Sequence, residues 1–164
     1  MVGPGIYFWE ANPQRGLDFA RESARRKPNF VKEPFVVGAA LELGLCLDLT
    51  TTAGIEWVRI AYDSLAESAT SGGVLLPANR EDERRRNLDC AVIRRPHSIL
   101  EAGSLPAVDS LKGVFTEGRP IYPGAGFDER THIQIVVRNQ RCIKGVFRVS
   151  GEAESRKTPR RTKR

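Results

Sequence analysis

Apolar positions recur along this chain with two different periods, and the change between them divides it into a helical first half and a strand-rich second half. Leu17, Ala20 and Ala24 form one stripe, with Arg21, Glu22, Arg25 and Arg26 on wetter positions. That spacing predicts a helix from Pro13 to about Arg26. Asn12 suits its N-cap and Pro13 its first turn, where no intrahelical N–H is needed, and Pro28 ends it. Phe35 to Leu43 reads as a strand dense enough in Val36, Val37, Ala39 and Leu41 for burial, with Gly38 marking a close approach. Leu45 to Leu49 forms an apolar knot, after which Asp48 and Thr50 to Thr52 offer caps for a helix over about 53–69. Ile55, Val58, Tyr62, Leu65 and Ala69 are its expected stripe, and Trp57 and Tyr62 are expected to pack.

Residues 69–79 contain Gly72, Gly73 and Pro77 and read as a loop. The charge run Glu81 to Arg86 is expected as the exposed first turn of a helix that continues through Leu88, Ala91 and Val92 and stops at Pro96. His97 then falls in a solvated loop. From Val114 onward the period shortens to two. Val114-Phe115, Ile133 to Val137 and Cys142 to Phe147 read as short strands, separated by loops holding Gly118, Pro120, Pro123, Gly124 and Gly126. Arg138 to Arg141 is the expected turn between the last two.

Charge changes the picture only at one end. The net charge is +6, and Arg156, Lys157, Arg160, Arg161, Lys163 and Arg164 account for all of it, so the remainder of the chain balances. Residues 151–164 are therefore set apart from a domain over 1–150 as a basic tail. Such a tail is either a solvated end or a contact for phosphates, nucleic acid or an acidic partner. Cys46, Cys90 and Cys142 are widely spaced and odd in number, which argues against a disulfide framework and against a zinc site. Reduced thiols are expected, in a cytoplasmic chain without a membrane span. No phosphate-binding loop of the Gly-x-x-x-x-Gly-Lys-Ser/Thr type and no Gly-x-Ser-x-Gly elbow is present.

The opening stretch Gly3-Pro4-Gly5-Ile6-Tyr7-Phe8-Trp9-Glu10 carries the most distinctive pattern. Two glycines around a proline allow a tight turn and a close backbone approach, and an aromatic triplet follows at once. Taken alone, this is a turn into a core strand or a strand end facing a ligand. With the capped helix behind it, Gly-x-Gly-Ile-Tyr-Phe resembles the second signature of the diphtheria-toxin-like and poly(ADP-ribose) polymerase-like ADP-ribosyltransferases. A more distant similarity runs through Cys46 to Leu49, Leu88 to Ile93, Gly113 to Gly118 and His132 to Asn139, toward a bacterial branch with that fold, over roughly residues 3 to 149.

The resemblance implies an α+β fold with a small split β-sheet core and flanking helices. It implies NAD as the substrate, and transfer of ADP-ribose to a macromolecular acceptor, protein or nucleic acid, with release of nicotinamide. Tyr7 would stack on the nicotinamide, and Gly5 would let the backbone come close. Asn12 and Arg15 are near enough in sequence to reach a phosphate or ribose, or else serve as cap and surface charge. The family's third signature residue, often glutamate, opens a strand in the region of His132-Ile133-Gln134. That makes Gln134 the first candidate to hold the ribose, with His132 beside it. Strand alternation puts His132, Gln134 and Val136 on one face and the core residues Ile133, Ile135 and Val137 on the other. Gln134 then needs either a backbone or cross-strand partner or a ligand hydroxyl.

Cleaving the nicotinamide–ribose bond builds positive charge on the sugar, which a carboxylate stabilises and a glutamine does not. Glu117, after Thr116, either supplies that carboxylate or is a surface turn residue. Asp89 is better placed for a structural hydrogen bond. One departure weighs against activity. The family carries a histidine in a Tyr-His-Gly-like motif upstream of the glycine-tyrosine segment, whereas this chain begins at Met1 within that segment, and neither His97 nor His132 matches the motif. The expectation is thus an ADP-ribosyltransferase-like domain, with the alternatives of a chain inactive as given, a truncated fragment, or an interaction module that docks nucleic acid through 156–164.

Overall fold

The computed structural model describes residues 3–26, 31–80 and 85–149. The charge run over 81–84 and the basic tail over 151–164 lie outside the described residues, as does Pro28. Among the described residues, three α-helices accompany short strands in a mixed α+β arrangement. Strands β1 (Ile6–Trp9), β3 (Cys46–Asp48), β6 (Ser110–Phe115) and β7 (His132–Val137) form one sheet in the order β1-β7-β6-β3. Strands β2 (Val37–Leu41) and β8 (Ile143–Arg148) pair antiparallel as a separate ribbon. A two-residue ladder joins β4 (Asn79–Arg80) to β5 (Arg85–Arg86).

β7 is the strand around which both halves of the core assemble. Its register sets Tyr7 and Leu111 opposite Val136, so these three share a face. There they meet Leu47, Ile93 and Val108, with Val58 of α2 (Thr52–Ser71) and Leu100 of α3 (Asn87–Ala102) packed against them. On the opposite face Ile135 and Val137 join Cys142, with Phe8, Leu41, Leu43 and Ile143 around them. The expected division of β7 into a core face and a polar face is therefore corrected. Val136 is as deeply buried as its neighbours because helices cover one face and the β2/β8 ribbon covers the other.

Helix α1 (Pro13–Ala24) begins where its cap and proline predict: Asn12 accepts from the Arg15 amide at 3.0 Å. Thr51 caps α2 in the same way through the Gly54 amide. The expected stripe of α2 is rotated, however. Gly54 and Ala61 are buried, while Ile55, Trp57 and Tyr62 are exposed. A Cβ on Gly54 would stand 1.8 Å from the Asp48 carbonyl oxygen, so the side chain's absence decides which side of α2 lies against the sheet.

Three other expectations are corrected. The apolar knot at 45–49 contains the edge strand β3, held parallel to β6 through Leu47 and Leu111. The ribbon strand β2 is partly exposed instead of buried, although Gly38 does mark a close approach: a Cβ there would sit 2.2 Å from the Phe147 ring. Finally, α3 runs straight through Pro96 to Ala102, and His97 is a buried helix residue. Val92, Ile93, Pro96 and His97 make one packed face, and that packing outweighs the single helix hydrogen bond that a proline forfeits.

Candidate functional site

The motif residues converge at the end of the sheet where β1 gives way to α1. Ala11, at φ +49°, makes the sharp turn between them in a region that residues with a side chain seldom occupy. The Glu10 amide still bonds to the Ile133 carbonyl at 3.0 Å, so the turn starts directly off the ladder with β7. One turn into α1, Arg15 is 6% exposed. Its guanidinium carbon lies 5.9 Å from the centre of the Trp9 ring, and Nη2 donates to Oε2 of Glu117. Trp9 in turn packs on Phe19 with ring centres 5.0 Å apart.

The Arg15–Glu117 pair spans 102 residues of sequence and fastens α1 to the loop that follows β6. A second ion pair repeats the connection at the other end of the helix, Arg130 to Glu22 at 2.6 Å. The two attachments share a base, since the Arg130 amide bonds to the Glu117 carbonyl at 2.9 Å. α1 thus clasps the extension of the β6–β7 hairpin.

His132, 5% exposed, opens β7 beside this clasp and stacks on Phe115, its partner across the ladder, at 6.2 Å. Its Nδ1 lies 2.7 Å from the Arg130 carbonyl oxygen. A carbonyl only accepts, so Nδ1 carries a proton, and in the neutral ring Nε2 carries the lone pair. Gln134 is half-buried between Trp9 on β1 and Gly113 on β6.

Most of these groups are incompletely satisfied. Among the described residues, Nε and Nη1 of Arg15, Nε1 of Trp9 and Nε2 of His132 are buried without hydrogen-bond partners. Each such group costs about 1–3 kcal/mol, and more where it is charged. Buried polar atoms in folded proteins are ordinarily paired, so four unpartnered ones in residues gathered at one sheet end set this place apart from the rest of the core.

Two clefts adjoin the cluster. One, of about 840 Å³, is lined by Tyr7, Trp9, Asn12, Phe19, Phe35 and Phe147 among others. The other, of about 930 Å³, is lined by Ile55, Val58, Tyr62, Val114, Glu117 and Asp128 among others. Arg15 touches a wall of each, through Trp9 on one side and Glu117 on the other. The structure therefore brings Arg15, Glu117, Trp9, His132 and Gln134 to one end of the sheet, but sets Tyr7 and Asn12 on a different cleft from Glu117.

No family model, curated protein or solved structure matches this chain.

The remaining motif residues carry structural duties as well. The Tyr7 ring packs on the first core cluster and its hydroxyl donates to the Gly3 carbonyl. Gly5, at φ +155°, has Val136 Cγ1 and the Val137 carbonyl oxygen at 2.5 and 2.8 Å from where a Cβ would be, so the close approach at this glycine is to β7. Asp89 has the structural role expected of it. Its carboxylate accepts from Asn79 Nδ2 and from Arg86 Nε, both at 2.7 Å. Burial pushes this carboxyl up, and the two donors together hold it below its ordinary range.

Trp9 and Asp128 were not singled out by the sequence. Trp9 stands within the aromatic triplet, where Tyr7 took precedence by resemblance. Asp128 carries no local signal at all, for its place on the cleft depends on the bridge it forms with Pro120. Among the described residues no group of His, Cys, Asp and Glu side chains is arranged to hold a metal ion.

Proposed function

We propose that this chain is an ADP-ribosyltransferase-like domain that binds NAD at the β1–α1 end of its sheet and transfers ADP-ribose to a macromolecule. The observation that carries the reading is the buried Arg15 guanidinium, held by Glu117 through one nitrogen and left with Nε and Nη1 unpartnered. Guanidinium N–H groups excluded from water match phosphate oxygens in charge and geometry, and the diphosphate of NAD offers those oxygens. The unpartnered Nε2 of His132 and the amide of Gln134 add acceptor and donor groups suited to ribose hydroxyls or a carboxamide.

In this reading the bond between the ribose and the nicotinamide breaks with its electron pair passing to the pyridine nitrogen, and the acceptor's nucleophile forms the new bond to the sugar as it gives up its proton to solvent. Glu117, joined to Arg15 between the two clefts, is the carboxylate assigned to the charge that develops on the ribose. Its pairing with Arg15 dilutes that charge in the resting protein. Phosphate binding to Arg15 competes for the same guanidinium and releases Glu117 toward the sugar. Tyr7 and Asn12 line the adjoining cleft, where the nicotinamide end would lie.

Calorimetric titration of NAD into the purified chain, followed by an assay for released nicotinamide, tests this. Arg15→Met is expected to weaken NAD binding at least tenfold, and Glu117→Gln to lower nicotinamide release far more than it lowers binding. A folded wild-type chain that shows no heat of NAD binding overturns the proposal.

A further inference from the structure

The larger cleft has features that the NAD reading does not use. It opens between α2, α3 and the end of β6, and its walls expose apolar side chains that the core leaves uncovered: Ile55 at 55%, Tyr62 at 42% and Val114 at 56%. These are not scattered surface residues, because all three line one concavity together with Val58, Val92 and Phe115. A cleft of about 930 Å³ with an apolar lining and a few polar groups at its lip is of the size that takes a small organic molecule.

The charges at the lip decide what kind. Arg59 is engaged by Glu56 and by Asp63 of its own helix. Arg86 and Asp89 are paired with one another at 2.7 Å, and the second Asp89 oxygen accepts from Asn79. Glu117 gives Oε2 to Arg15. Among the described residues, the Asp128 carboxylate has no hydrogen bond or ion pair; only its backbone is engaged, the amide donating to Thr131 Oγ1 at 2.9 Å and the carbonyl accepting from the Thr131 amide at 3.1 Å. The arginines on the lip are therefore neutralised while one carboxylate and half of another are not. Among the described residues that line the cleft, a ligand's anionic group finds no uncommitted cation, whereas a cationic group finds Asp128.

We propose that this cleft binds a small molecule with an apolar, preferably aromatic body and a single ammonium group, the body lying on Ile55, Val58, Tyr62 and Val114 and the ammonium meeting Asp128. The proposal is independent of the NAD reading, because it concerns different residues and a different ligand.

The test uses 4-phenylbutylammonium, the neutral 4-phenylbutan-1-ol and the anionic 4-phenylbutyrate as probes, titrated into the full chain and followed by the methyl NMR signals of Ile55, Val58 and Val114. The ammonium is expected to shift these methyls saturably and to bind at least fivefold more tightly than the alcohol, with the carboxylate weaker still. Asp128→Asn should erase most of that preference while leaving the alcohol's affinity unchanged. Val114→Arg, at a position exposed enough to tolerate it, should abolish binding of both. Absence of saturable shifts with the ammonium, equal affinities for the three head groups, or an ammonium preference that survives Asp128→Asn each overturns the proposal.

Discussion

Arg15 carries a positive charge into the interior on terms that favour the fold only weakly. Its charge is buried with one carboxylate partner and a tryptophan face, while two of its three nitrogens lack acceptors. A buried ion pair of this kind is poor evidence of stability, since the cost of taking both charges out of water rivals their attraction. Replacing the arginine by an unbranched apolar side chain removes the unpartnered groups and keeps the packing against Trp9. Arg15→Met is therefore expected to unfold at a denaturant midpoint equal to or above that of the wild type. Glu117→Gln leaves the buried cation without its counter-charge, and is expected to lower stability by about 1–3 kcal/mol, less than for a fully enclosed pair because Glu117 is partly exposed. Urea unfolding of the two variants checks the order. An Arg15→Met chain clearly less stable than Glu117→Gln would show that the arginine is there for the fold.

At the scale of elements, the start of α3 depends on a partner from outside the helix. Its N-cap position is Arg86, whose side chain makes no capping bond. Asn79 substitutes from β4: its Oδ1 accepts from the amides of Leu88 and Asp89 at 3.0 and 3.3 Å, and its Nδ2 donates to the Asp89 carboxylate. One side chain thereby satisfies two helix-end amides and ties the β4–β5 ladder to α3. Asn79→Ala is expected to cost about 1–2 kcal/mol, at the upper end of capping effects, and to speed amide hydrogen exchange at Leu88 and Asp89 before that of Val92. Uniform exchange along α3 in the variant would refute the capping role.

The same contrast explains what could be read from the chain alone. The N-caps of α1 and α2 were legible because Asn12 and Thr51 lie three residues from the amides they receive. β3 was not legible, because three residues become a strand only by pairing with β6 more than sixty residues later. The passage of α3 through Pro96 and the exposure of Ile55 and Tyr62 likewise depend on which neighbours arrive, not on local preference. Of the candidate site, the motif at residues 5–15 and the strand around Gln134 could be named in advance. The Arg15–Glu117 contact joins them across 102 residues, and no spacing along the chain encodes it.

For the molecule as a whole, these burial patterns set the response to acid. His97 sits in the packed face of α3 at 8% exposure with its Nδ1 unpartnered among the described residues. Burial, with the nearby Arg138 guanidinium, lowers its pKa from 6.5 to about 4. Arg138 is itself partly desolvated, with Arg94 as a like charge and Glu101 as an opposite one in its surroundings. Above pH 6.5 the imidazole is neutral whether the chain is folded or not, and its contribution is fully present. Between 6.5 and 4 the unfolded chain takes up a proton that the folded chain refuses. Stability then falls with each step of acidification, by at most about 1.4 kcal/mol per pH unit from this one group. Below about 4 both states are protonated and the loss is complete. The chain already carries a charge of +6, so further protonation adds repulsion in the same direction. The part owed to His97 is separable from that background. His97→Leu is expected to flatten the decline in urea midpoint between pH 6.5 and 4.5 relative to wild type. Arg138→Met should raise the histidine's folded pKa and narrow the window from below. Parallel pH profiles for all three chains would mean that His97 accepts its proton inside the fold, and that α3 gives way around it without loss.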